Sequence, residues 1–292
     1  MKSKHPCIAV IGGDNRQGFL AGALAEDGLD VIVNGLEKLP GLQGARFVSD
    51  TAEAVLEADA IVLPMPVSHD GVTVNAPYGY SVIYLTDILA AAGPDQLILG
   101  GKIDSSLFQS IDELGLKAVD YLAREELSIR NAIPTAEGAL AIAIKETPIT
   151  LFGSKCLVIG YGRLGKVMAA RLGSMGADVT VSARKQADLA WILAGGFKPV
   201  QTGEIYHSLD QYDLVFNTVP ACILGRAELQ KMKSQAVIID LASAPGGVDF
   251  TAAQQMGIKA IQALSLPGKV APASAADIIK DTIINILREE AI

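Results

Sequence analysis

Short apolar runs alternate with longer stretches in which apolar residues recur every three to four positions, and glycine or proline marks most of the junctions. A run of this kind reads as a buried strand, and the longer period as an amphipathic helix. In the first half the strands fall at residues 7–11, 30–33, 60–63, 96–99 and 117–119, with helices at 18–26, 84–92 and 106–114. A second series has strands at 155–159, 178–182, 214–217, 236–240 and 259–262, with helices at 163–175, 185–194 and 226–233. Strictly alternating strands and helices imply a parallel, doubly wound sheet, so two series imply two α/β domains in tandem. The expected division is 1–130 for the first α/β domain, 131–272 for the second, and 273–292 for a returning helix. Between the domains, Pro134 and Glu137 suit a first turn, which predicts a helix over 135–146. Its run 139–144 is nearly all apolar, which predicts burial on every face between the domains. The last helix, 274–290, carries Ile278, Ile279, Ile283, Ile286 and Leu287 on one face and is expected to pack back on the first domain.

Composition narrows the function. Half of the 292 residues are hydrophobic and 19% charged, the profile of parallel sheets covered on both faces. A net charge of −8 supplies no basic stripe, so nucleic acid and anionic membrane surfaces are not expected partners. The chain contains no apolar stretch of about 18 residues, so no membrane span is expected. The N-terminal apolar run flows straight into a glycine turn and reads as a first strand, not a signal peptide. Cys7, Cys156 and Cys222 have no paired spacing and read as reduced core thiols of a cytosolic protein. No metal site is expected.

The motif Gly160-Tyr161-Gly162-Arg163-Leu164-Gly165 follows one strand and opens a helix, which is the context a dinucleotide-binding Rossmann turn requires. Gly160 permits the tight turn, Gly162 lets the backbone approach a pyrophosphate, and Gly165 lets helix and strand pack closely. The next strand ends in Ser182-Ala183-Arg184-Lys185, where an NAD-specific protein places an acidic residue for the ribose 2′-hydroxyl. A guanidinium there suits a 2′-phosphate, so NADP(H) is expected in preference to NAD(H). Ligands bind at the carboxyl ends of open α/β sheets, which adds Asn217, Thr218, Val219 and Pro220, with Asp240 and Ser243, to the expected cofactor site.

In the first half, the turns containing Arg16, Ser68-His69 and Lys102 each follow a strand and are expected to open on one sheet edge. Lys102, Arg16, Ser68 and His69 there suit an anionic substrate facing the nicotinamide. Glu125, Glu126 and Arg130 read as a salt-bridged helical face.

The blocks GGDNRQ (12–17), LPMPVSHDG (63–71), YLAREELSIRNAIPTAEGAL (121–140), VIGYGRLGKVMAARL (158–172), NTVP (217–220), IIDLASAPGGVDF (238–250) and ALSLPGKVAPASAADII (263–279) span the chain in order and resemble the A-subunit family of dipicolinate synthase. The resemblance implies NADP-linked oxidation of dihydrodipicolinate to pyridine-2,6-dicarboxylate in the mother cell of a spore-forming bacterium. It also implies a partner, a flavoprotein-like B subunit. Such a reaction needs a hydride acceptor, groups for two carboxylates and a proton acceptor. On that basis Arg16, Ser68, Lys102, Asn131 and Thr135 are expected to hold the substrate, with His69 or Glu137 taking the proton. The runner-up is a D-2-hydroxyacid dehydrogenase, which needs a His–carboxylate pair and an Arg late in the cofactor domain. The histidines here are His5, His69 and His207, and the 240–243 strand end offers no Arg. A non-catalytic NADPH-binding scaffold is the remaining alternative. Exposed strand edges and the C-terminal helix are compatible with a homo-oligomer.

Overall fold

The computed structural model describes residues 6–40, 42 and 44–292, so His5 lies outside the described residues. The chain divides into two compact units, one comprising residues up to Asn131 together with Pro267–Ile292, the other Ala132–Leu266.

The first unit runs β1 (Cys7–Ile11), α1 (Asn15–Glu26), β2 (Asp30–Asn34), β3 (Arg46–Phe47), α2 (Thr51–Glu57), β4 (Ala60–Val62), α3 (Leu85–Ala91), β5 (Leu97–Gly100), α4 (Ser105–Glu113) and β6 (Lys117–Asp120). Its strands are all parallel, in the order β3-β2-β1-β4-β5-β6. The pleat sends alternate residues to opposite faces. Cys7, Ala9 and Ile11 of β1 therefore join one apolar cluster while Ile8 and Val10 join another. Both faces of the sheet are covered, which is why the strands read as continuous apolar runs.

The second unit repeats this plan with β7 (Lys155–Ile159), α6 (Arg163–Ser174), β8 (Asp178–Ala183), α7 (Gln186–Ala194), β9 (Lys198–Gln201), β10 (Leu214–Asn217), α8 (Arg226–Leu229), β11 (Val237–Asp240), α9 (Phe250–Gln255) and β12 (Lys259–Gln262). The order β12-β11-β10-β7-β8-β9 is again parallel throughout. In each sheet the first strand in sequence sits at the centre, flanked by the second and the fourth. That reversal of strand order is a topological switch point, and it places the loops after β1 and β4, and after β7 and β10, side by side.

The sequence-based reading missed β3, α2, β9, α9 and the short helix Leu266–Val270. Arg46 and Phe47 of β3 and Lys198 and Pro199 of β9 are exposed at sheet edges, so these strands carry no apolar run. The α2 helix is seven residues long, and its signal is the cap at Asp50, whose carboxylate accepts the Ala52 and Glu53 amides.

A larger difference concerns α5 (Glu125–Glu146), which begins ten residues before the expected start and carries Pro134 in its interior. Glu125 and Glu126 form the favourable acidic first turn instead, and Leu127 and Ala132 are buried ahead of the proline. Packing of that first turn outweighs the hydrogen bond that Pro134 cannot donate. Nor is the 139–144 run buried all round: Ala139, Leu140 and Ala143 join the core of the second unit, while Ala141 and Ile144 are exposed. The α10 helix (Leu266–Val270) leads into α11 (Pro272–Glu289), which returns the chain to the first unit. There Ile278, Ile279, Ile283, Ile286 and Leu287 pack in one cluster with Leu20, Ala21 and Leu24 of α1, as the stripe predicts. Arg124 pairs with Glu126 and Glu289, and Arg130 with Asp281, so the charged face at the start of α5 is salt-bridged. Among the described residues no helix is long and apolar enough to cross a membrane.

Candidate functional site

The β7–α6 turn assigns a separate job to each of its three glycines. Gly160 adopts φ +99°, and a Cβ on it would lie 2.6 Å from Oγ1 of Thr218. A Cβ on Gly165 would lie 2.1 Å from the Gly160 carbonyl oxygen, so only glycine lets α6 start this close to the strand. Gly162 has open space where its Cβ would be, and it brings no side chain to cap α6. The opening turn of a helix presents amides without intrahelical partners and the positive end of the dipole, and here it is left for an anion. The neighbouring loop is clipped to the turn, because the Thr218 amide and hydroxyl both donate to the Ile159 carbonyl, at 3.0 and 2.8 Å.

At the end of β8, Arg184 and Lys185 are exposed and form no ion pair among the described residues. Ser182 departs from the expected cofactor role. It is fully buried, its hydroxyl accepts from Thr202 at 3.3 Å and its carbonyl accepts the Gly160 amide at 3.0 Å. The strand's two-residue period puts it on the sheet face opposite Val181 and Ala183, and both faces are covered there.

The same correction applies to Asn217 and Asp240, both fully buried. Asn217 Nδ2 donates to Asp240 Oδ1 at 2.8 Å and to the Val219 carbonyl at 2.9 Å. Asp240 further accepts the Ala242 and Gly247 amides at 3.2 and 2.9 Å. These two side chains shape the loops after β10 and β11, while Pro220 and Ser243 are exposed and Thr218 and Val219 half-buried. A Cβ on Gly247 would lie 2.0 Å from Asn217 Nδ2, so the loop needs glycine there.

In the first unit the three expected turns do open on one sheet edge, since β1, β4 and β5 are parallel neighbours or next neighbours. Their backbones are tied together: the Val67 amide donates to the Gly101 carbonyl and the Gly101 amide to the Pro64 carbonyl, each at 3.1 Å. The start of α1 differs sharply from that of α6. Asp14 caps it, accepting the Arg16 amide at 3.0 Å, so a carboxylate of the chain itself holds the position an external anion would take. Arg16, expected to meet substrate, is buried, with Nε and Nη2 on Asp14 and Nη2 also on the Met65 carbonyl at 2.7 Å. Beside it Gln17 is fully buried, and neither polar atom of its side chain makes a protein hydrogen bond.

Ser68 is likewise occupied locally. Its hydroxyl donates to Asp70 at 2.9 Å and accepts the Gly71 amide at 2.9 Å. Asp70 is held well below the usual carboxylate range by the Thr73 amide and hydroxyl, the Val72 amide and the Ser68 hydroxyl. This knot rigidifies the loop that displays His69, which is exposed. Lys102 is exposed too, and its φ is +60°.

Of the α5 candidates, Asn131 and Thr135 are half-buried and each engaged in an interaction. Glu137 is exposed and lies 3.8 Å from Arg171, in the last turn of α6. Arg171 stands eight residues, about 12 Å at 1.5 Å per residue, along α6 from its first residue. Glu137 thus stands beside the far end of α6 from the phosphate turn. Cys7 and Cys156 are buried as expected, whereas Cys222 is exposed in the loop after β10. Among the described residues no cluster of His, Cys, Asp and Glu could hold a metal ion. Reasoning from sequence missed Asp14, Asp70 and Asp120, which act as caps. Their common signal is an Asp directly after a strand or before a helix or turn.

Comparison with known proteins matches residues 7–122 to the family model for the N-terminal domain of the dipicolinate synthase A-subunit. Residues 135–250 match that for the D-isomer specific 2-hydroxyacid dehydrogenase NAD binding domain. The A-subunit of dipicolinate synthase from Bacillus subtilis (strain 168) is 35% identical over 284 residues, covering 97% of this chain and 96% of that protein. The crystal structure of the dipicolinate synthase A chain from Bacillus subtilis superposes with a TM-score of 0.90 at 34% identity, over 99% of this chain and 98% of that one. For the A-subunit from Bacillus halodurans the values are 0.89 and 31%, over 97% of both chains. A transhydrogenase from Sinorhizobium meliloti, at 18% identity and a TM-score of 0.71 over 97% of this chain and 93% of that one, shares the fold.

Proposed function

Because the chain belongs to the A-subunit family of dipicolinate synthase, we propose that it oxidises a dihydrodipicolinate to pyridine-2,6-dicarboxylate with NADP⁺ as oxidant. The observation that carries the cofactor half is the uncapped start of α6 next to exposed Arg184 and Lys185, with Ala183 between them and buried Ser182. Aromatisation removes a hydride and a proton from the ring, and the nicotinamide, when bound, takes the hydride. The first-turn amides of α6 hold the pyrophosphate, and Arg184 grips the 2′-phosphate by charge-assisted hydrogen bonds. Thr218, Val219, Pro220 and Ser243 line the remainder of the dinucleotide.

Lys102 binds one substrate carboxylate. His69, on the adjoining loop of the same sheet edge, accepts the ring proton. Arg16 and Ser68 contribute by holding the loops that carry these groups. Gain of aromaticity drives the reaction, so no strongly basic residue is required. The family supplies the remaining parts of the reading: a partner B subunit of flavoprotein type, and a cytoplasmic location in the mother cell during sporulation. A hydroxyacid reaction lacks its acid–base pair here.

The test is absorbance at the reduced-nicotinamide band when the pure chain meets NADP⁺ and freshly generated dihydrodipicolinate, with and without the B subunit. We expect reduction in at least one arm. No reduction in either, with NADP⁺ bound, would favour a cofactor-binding scaffold. For the cofactor, Arg184→Ala should cost NADP⁺ roughly tenfold or more in affinity, as a lost charged hydrogen bond does, and leave NAD⁺ unchanged. Equal affinities for both cofactors in the parent chain would refute the preference.

A further inference from the structure

The chain leaves β5 through Gly100, Gly101 and Lys102, and the last of these adopts a left-handed conformation at φ +60°. That region is costly for a residue with a Cβ and natural for glycine, so a lysine persists there only where its surroundings impose it. Two constraints do so. From below, a Cβ on Gly101 would lie 2.5 Å from the Met65 Cβ and 2.8 Å from the buried Tyr121 ring, so the segment has no room to relax inward. From the side, the Asp120 carboxylate accepts three amides: Lys102 at 3.0 Å, Ile103 at 3.1 Å and Leu122 at 2.8 Å. Asp120 ends β6 directly opposite Gly100, so strand register sets this clamp.

The clamp uses the carboxylate on backbone amides, and Lys102 forms no ion pair with Asp120 or any other described residue. An exposed, uncompensated ammonium on a strained, doubly fixed backbone is a group held for an external anion. We infer that Asp120 is a positioning residue for substrate recognition: by bridging the Lys102, Ile103 and Leu122 amides it fixes the left-handed turn that presents the Lys102 ammonium to a carboxylate. This rests on the assignment of Lys102 to a substrate carboxylate in the proposed reaction.

The test titrates pyridine-2,6-dicarboxylate calorimetrically into the full chain saturated with NADP⁺. Lys102→Ala and Asp120→Ala should each weaken the dicarboxylate at least tenfold, with NADP⁺ affinity unchanged within twofold. The double variant should be no weaker than Lys102→Ala, because Asp120 acts only through Lys102. Losses that multiply in the double variant, or dicarboxylate affinity unchanged in Asp120→Ala, overturn the inference and leave the carboxylate role of Lys102 standing. Full dicarboxylate affinity in Lys102→Ala, or none in the parent chain, overturns that role and the inference together. Should Asp120→Ala not fold, Asp120→Asn replaces it: its single acceptor oxygen cannot serve all three amides, so the dicarboxylate should weaken by about threefold or more, and unchanged affinity overturns the inference. The strain is read separately: Lys102→Gly should melt about 2–4 °C above Lys102→Ala, and an equal or lower melting point removes the basis of the clamp.

Discussion

Asn217 and Asp240 stand opposite each other on adjacent parallel strands, wholly buried, and the amide of one donates to the carboxylate of the other at 2.8 Å. No ion pair reaches Asp240 among the described residues; its side chain accepts instead from the Asn217 side chain and the Ala242 and Gly247 amides. The pair couples the loops after β10 and β11, which are proposed to line the dinucleotide. Asn217→Ala leaves a buried carboxylate oxygen short of its best donor, and about 1–3 kcal/mol of stability should be lost. Urea unfolding measures this. A change under about 0.5 kcal/mol, the level of an ordinary surface substitution, would contradict the burial of the pair.

Gly162 and Gly165 make opposite predictions. A methyl at 162 meets nothing within 4 Å in the protein, so Gly162→Ala should keep the parent melting temperature while weakening NADP⁺ through the lost backbone approach. A methyl at 165 collides with the Gly160 carbonyl, so Gly165→Ala should cost about 1–3 kcal/mol as overpacking does. Thermal melts paired with cofactor titrations separate the two, and equal cofactor affinity in Gly162→Ala and the parent chain would remove the turn from the binding site.

The Asp70 knot yields a pH dependence whose sign follows from its donors. The folded pKa lies below the ordinary 3.8, so the carboxylate stabilises the loop above about pH 4 and that contribution disappears as pH falls through the lower folded value. A carboxyl-carbon NMR titration should show Asp70 still ionised at pH 3.8. A midpoint at or above that value would mean that the four donors are not engaged.

Thiol accessibility tests both sheets at once. Burial, aided for Cys7 by the Asp30 and Asp59 carboxylates, pushes Cys7 and Cys156 up to about 11, while Cys222 is exposed. Iodoacetamide at neutral pH should therefore modify Cys222 alone in the native chain and all three cysteines after unfolding, as counted by mass spectrometry. Native modification of Cys7 or Cys156 at a comparable rate would be inconsistent with strands buried on both faces.

Local pattern was enough to reveal the central strands. Residues 7–11, 155–159 and 214–217 are read from sequence with the bounds they have in the fold, because a strand covered on both faces must be apolar at nearly every position. The glycine turn was legible for a similar reason: a phosphate site made of backbone needs residues with no side chain, and that requirement is written into spacing. What only the tertiary structure decided is the direction in which polar side chains point. Ser182, Asn217, Asp240 and Ser68 lie at strand ends or in strand-end loops and Arg16 in the helix turn that follows one, as a cofactor or substrate ligand should, yet each is satisfied within the protein. Their partners are Thr202, one another, Met65 and Asp70, most of them brought close by sheet register and not by neighbourhood in the chain. The same holds for α5, where packing at Leu127 carries the helix through Pro134, and for β3 and β9, which are strands only because a parallel neighbour supplies their hydrogen bonds. Periodicity reports which face of an element is apolar; which polar group meets which is a property of the assembled sheet, where hydrogen bonds join residues dozens of positions apart.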